Sequence, residues 1–99
     1  MQIKNRVIGV VAQLSGLNGI ILYSSDRENH IELEIGKKYD FIYPERLADF
    51  TGTLSEFAIS YNASESEIYL VAVDSKNCRI RKIQIKDLEK ITYADDIDN

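Results

Sequence analysis

Residues 67 to 93 read Glu67-Ile68-Tyr69-Leu70-Val71-Ala72-Val73-Asp74, then Ser75-Lys76-Asn77-Cys78, then Arg79-Ile80-Arg81-Lys82-Ile83-Gln84-Ile85-Lys86-Asp87-Leu88-Glu89-Lys90-Ile91-Thr92-Tyr93. Val, Ile and Tyr favour an extended chain, because branched or flat side chains pack well on a pleated surface. Ser75-Lys76-Asn77 breaks the run with turn residues. From Arg79 to Ile85 polar and apolar residues alternate, which turns Ile83 and Ile85 inward and Lys82, Gln84 and Lys86 outward. Lys86 to Glu89 fits one short helical turn, after which Ile91 and Tyr93 return to the sheet. The stretch therefore predicts a hairpin, a helical turn and a closing strand. Its first strand, Glu67 to Asp74, is apolar on both faces and is expected to be the central, most buried one.

Working outward, Thr51 to Tyr61 reads as the preceding strand, with Phe57, Ile59 and Tyr61 on one side and Gly52 permitting a sharp bend or bulge. Residues 62 to 66 form its hairpin loop. Pro44 ends the strand that carries Tyr39, Phe41 and Tyr43 on one face. Ile31, Leu33 and Ile35 alternate with Glu32 and Glu34, the pattern of a half-buried strand. Residues 1 to 24 admit two readings. A hairpin would pair Arg6–Gln13 with Gly19–Ser24 across Asn18-Gly19, whereas Val7, Val10, Val11 and Leu14 also share a helical face. The β-branched run and Gly9 favour the hairpin.

Ninety-nine residues make one domain. We divide it into an N-terminal hairpin and strand (1–36), a small barrel (37–94) and an acidic tail (95–99). The expected fold is all-β, or β-rich with one short helix: a bent five- to six-stranded barrel preceded by that hairpin or helix. The formal net charge is -4. Residues 37 to 94 hold nine Lys/Arg and nine Asp/Glu, so the acidity lies in Asp26, Glu28, Glu32, Glu34 and the tail. Such a balance argues against broad, non-specific DNA binding. Cys78 is the single cysteine, which excludes an internal disulfide. No basic-then-apolar leader and no long apolar run is present, so the expectation is a cytoplasmic chain away from membranes.

Gly36-Lys37-Lys38-Tyr39-Asp40-Phe41-Ile42-Tyr43 as a first strand, Thr51-Gly52-Thr53-Leu54 as a bent second and Ile83 to Ile91 as a closing segment resemble the layout of the SH3-like and Sm-like small barrels. Within that group, Ile68-Tyr69-Leu70 followed by Val71-Ala72-Val73-Asp74, and then Arg81 to Leu88, are similar to the WYL domain, a ligand-sensing module of bacterial transcription regulators. The sequence departs from that family at Ile68, where it has tryptophan, at Ile83, where it has an aromatic residue, and at Asp87, where it has an arginine. The resemblance implies a ligand held near Arg81.

No motif of catalysis stands out. His30 is the only imidazole, and no nucleophile is placed beside a base. His30, Glu32 and Glu34 share one strand face, a pattern that more often marks the wet side of a strand than a metal site. The glycines stand alone, with no phosphate-cradling loop. No cofactor is implied. Arg79, Arg81 and Lys82, with Tyr69 nearby, form the one candidate ligand-binding group, able to pair with phosphate and stack on a base. Arg81 has the parity of Ile83, so a regular strand turns it inward, where it needs an acceptor from Asp40, Asp74 or a ligand. The leading expectation is a small non-enzymatic binding or regulatory module that works through a protein partner or through self-association. Two others remain: a nucleotide- or nucleic-acid-sensing barrel using Arg79, Arg81 and Lys82, and an acidic inhibitor that occupies a partner's nucleic-acid groove through Glu32, Glu34 and the tail.

Overall fold

The computed structural model describes residues 11–15, 18–24, 28–61 and 66–94. They form eight strands: β1 (Val11–Ser15), β2 (Gly19–Tyr23), β3 (His30–Glu34), β4 (Lys38–Ile42), β5 (Phe50–Tyr61), β6 (Ser66–Asp74), β7 (Ile80–Gln84) and β8 (Lys90–Tyr93). Single 3-10 turns at Arg46–Ala48 and Ile85–Asp87 are the only helical elements among the described residues. The all-β expectation is met. Two antiparallel sheets result, one ordered β1-β2-β3 and the other β7-β6-β5-β4-β8.

The N-terminal segment is a hairpin as far as it is described. Val11 pairs with Tyr23 and Ser15 with Gly19, so the helical alternative does not hold for Val11–Ser15, and residues 6–10 of the expected pairing lie outside the described residues. β3 joins this hairpin with Ile31 opposite Leu22 and Leu33 opposite Ile20, and all four side chains are buried. Ile35 leaves the alternation. It sits in the turn after β3, partly exposed, its N–H bonded to the carbonyl of Asn18 at 2.9 Å. Gly36 follows with φ +97, a left-handed conformation that costs a residue without a Cβ little.

That turn straddles the second sheet. Gly36 N–H donates to Leu54 O at 2.8 Å, and Leu54 N–H donates to Lys37 O at 2.9 Å. The two sheets thus share one core, with Ile20, Leu22, Ile31 and Leu33 from the first joined by Tyr39, Phe41, Leu54, Leu70, Ile83 and Ile91 from the second and by Leu88 from the connection between β7 and β8.

Two expectations about the five-stranded sheet are corrected. The sheet is open. β7 and β8 are its two edges, and Ile91 and Tyr93 pair with Phe41 and Tyr39 of β4 instead of closing onto β7. The central strand is β5, not β6. Leu70, Ala72 and Asp74 of β6 are buried, but Tyr69, Val71 and Val73 on its other face are only half-buried. An apolar run on both faces predicts coverage on both, whereas among the described residues the outer face is only partly covered. β5 holds the centre because it is long and bent, pairing with β4 through Phe50–Thr53 and with β6 along its length. The bend is a register shift between Leu54 and Glu56, which sharpens local twist. Gly52 serves a different purpose, since a Cβ there would lie 2.9 Å from Val73 O and 3.0 Å from Phe50 Cε2.

Candidate functional site: the β7 edge and the Arg81 cleft

The turn from β6 to β7 is set locally. Asp74 Oδ1 accepts the N–H of Lys76 at 2.8 Å, and Asn77 Oδ1 accepts that of Arg79 at 3.0 Å. Cys78 takes φ 60, and its N–H returns to Asp74 O at 2.8 Å. Its thiol is free and exposed. Asp74 N–H donates to Arg79 O at 2.8 Å, which fixes the ladder. Because partners alternate in an antiparallel pair, Arg81 and Ile83 are the β7 residues bonded to Ala72 and Leu70 of β6, while the backbone groups of Ile80 and Lys82 face off the sheet. Ile80 is also 74% exposed, beside its cross-strand partner Val73 on the outer face.

Arg81 lies on the inner face, as its parity requires. Asp74, only 5% exposed, supplies the acceptor, with Arg81 Nη1 3.2 Å from Asp74 Oδ2. Asp40 takes a different role and accepts the hydroxyl of Thr51. The small side chain of Ala72, the cross-strand partner of Arg81, leaves room for the guanidinium to reach Phe50, where Cζ sits 4.2 Å from the ring centroid. The ring of Phe50 also stacks on Phe41 at 5.0 Å. Beside Arg81 opens a cleft of about 520 Å³, lined also by Leu47, Ala48, Asp49, Phe50, Ser75 and Lys76.

Tyr69 and Lys82 lie on the opposite face of the sheet, where Lys82 Nζ sits 4.8 Å from the Tyr69 ring centroid. The Tyr69 hydroxyl donates to the Glu67 carboxylate and accepts Gln84 Nε2 at 3.0 Å. That bond to Tyr69 holds the Glu67 carboxyl below its ordinary value and pushes the Tyr69 phenol up. Lys86 Nζ approaches Glu67 Oε1 at 3.4 Å. Arg79 projects from the turn, exposed. The structure therefore pairs Tyr69 with Lys82, but it does not bring Arg79 and Arg81 to them. His30, Glu32 and Glu34 occupy the exposed face of β3, and among the described residues no group of three His, Cys, Asp or Glu could hold a metal ion. Nor is any described helix long and apolar enough to cross a membrane.

Sequence reasoning missed Ile80, Leu47 and Phe50. Ile80 was legible, since period two places it opposite in parity to Ile83. Leu47 falls in the short 3-10 turn Arg46–Ala48, and one leucine in the connection between β4 and β5 is a weak signal. The contact of Phe50 with Arg81 is non-local, and no pattern along the chain announces it. Comparison with family models, curated proteins and solved structures finds no match.

Proposed function

We propose that this chain is a small non-enzymatic binding module that engages another protein, or a second copy of itself, by adding a strand to the β7 edge. The observation that carries this reading is the edge itself. It couples outward backbone groups at Ile80 and Lys82 to an exposed apolar side chain, with half-buried Val71 and Val73 alongside. An extended segment gains main-chain hydrogen bonds at such an edge and selectivity from alternate side chains. Lys82 limits indiscriminate pairing, as charges on edge strands do, and favours an acidic segment. A nucleic-acid role finds less support, because Arg81 is engaged by Asp74 and stands apart from Lys82.

Lys82→Pro tests the proposal. Proline removes an N–H that points off the sheet, so the β6 ladder survives. Native mass spectrometry and affinity purification of the wild type should show a defined oligomer or a bound protein, and the variant should be folded by circular dichroism yet alone. A wild type that is strictly monomeric and partnerless overturns the reading, as does a variant that keeps its partner.

A further inference from the structure

We propose that the cleft beside Arg81 binds the terminal carboxylate of a peptide whose last side chain is apolar. The guanidinium is pre-organised: Asp74 fixes it through Nη1 alone, and Phe50 supports its face at 4.2 Å. The donors on Nε and Nη2 form the planar fork that pairs with a carboxylate in two parallel bonds, and among the described residues they have no partner. Lys76, also in the lining, makes no ion pair among the described residues. The cleft volume, about 520 Å³, lies in the range of roughly 300–1,000 Å³ that suits small ligands.

The composition of the walls decides the ligand. Leu47 is fully exposed, and with Ala48 and Phe50 it forms an apolar rim. The guanidinium lies against that rim, so anion and apolar group must be close neighbours in the ligand. A chain-terminal carboxylate on an apolar residue meets that demand within one residue. Asp49 and Asp74 line the same cleft, Asp49 with Oδ1 accepting the N–H of Tyr43 at 2.8 Å. A dianion such as phosphate would be repelled by both carboxylates, whereas a monoanion meets the fork at lower cost.

This inference does not depend on strand addition at β7, and Lys82→Pro leaves the cleft intact. NMR titration of the intact chain with N-acetyl-leucine should shift the Arg81 Nε–H resonance and the amides of Thr51, Ser75 and Lys76. N-acetyl-leucinamide, which lacks the carboxylate, should leave them unmoved. Leu47→Ser alters a side chain that the fold leaves uncovered, and it should weaken N-acetyl-leucine while sparing the weaker response to acetate. Equal shifts with the amide, a stronger response to inorganic phosphate, or unchanged N-acetyl-leucine binding in Leu47→Ser would each overturn the proposal.

Discussion

The hydroxyl of Tyr39 accepts the backbone N–H of Glu34 at 2.7 Å, so a core residue of the five-stranded sheet holds the edge strand of the other. It also lies 3.5 Å from the carbonyl of Glu32, whose N–H reaches the hydroxyl of Tyr93 at 3.3 Å. Two tyrosines thereby satisfy backbone groups of β3 that have no neighbouring strand. At β7, by contrast, no side chain of the described residues does the same for Ile80 and Lys82.

Tyr39→Phe keeps the buried ring and removes the acceptor. A donor left unpaired costs about 1–3 kcal/mol where it is shielded from water, and Glu34 is exposed on β3, so the lower end applies. The urea midpoint should fall by the equivalent of about 1 kcal/mol. The Glu34 amide should exchange faster while the β5–β6 ladder is unchanged.

Burial pushes the phenols of Tyr39 and Tyr43 above their ordinary value. Both states keep these protons below pH about 10. Above that, the unfolded chain releases them first and the folded chain holds more protons, so stability falls as pH rises through the folded values. Denaturant melts from neutral pH upward should show this alkaline loss, and Tyr39→Phe should make it shallower.

Gly52→Ala places a Cβ 2.9 Å from a carbonyl oxygen of β6 and 3.3 Å from Ala72 Cβ. Neither is the tip of a flexible side chain, so the strands must part. Overpacking of this kind costs about 1–3 kcal/mol, and calorimetry should register a lower Tm with no change in strand content.

Cys78→Gly acts in the other direction. The left-handed φ of Cys78 is disfavoured by about 1–2 kcal/mol for a residue with a Cβ, and glycine forfeits roughly half of that gain to its freer unfolded chain. A rise in stability of about 0.5–1 kcal/mol is expected by equilibrium unfolding.

Much of the fold was written in periodicity. Ile31 and Leu33 against Glu32 and Glu34 gave β3, Tyr39 and Phe41 gave β4, and Ile83 and Ile85 point in as their parity requires. The helical turn appears slightly early, at Ile85–Asp87. What was not legible depends on pairing between distant segments. Nothing along β6 tells whether its second apolar face is covered, because Val71 and Val73 look alike on a buried strand and on a docking surface. Nothing in Arg79, Arg81, Lys82 and Tyr69 tells that adjacent positions on β7 fall on opposite faces beside different neighbours, until the strand is placed in register with β6. Parity did foresee the inward arginine, and Asp74 was one of its two named acceptors.

The central claim is that β7 presents an open edge to another chain. Amide hydrogen exchange of the isolated protein, read residue by residue by NMR, tests it most directly. Arg81 and Ile83 should exchange slowly and Ile80 and Lys82 fast, and the fast pair should slow once the binding protein is added. Four amides equally slow in the isolated monomer would mean that the edge is already covered, and would contradict the account.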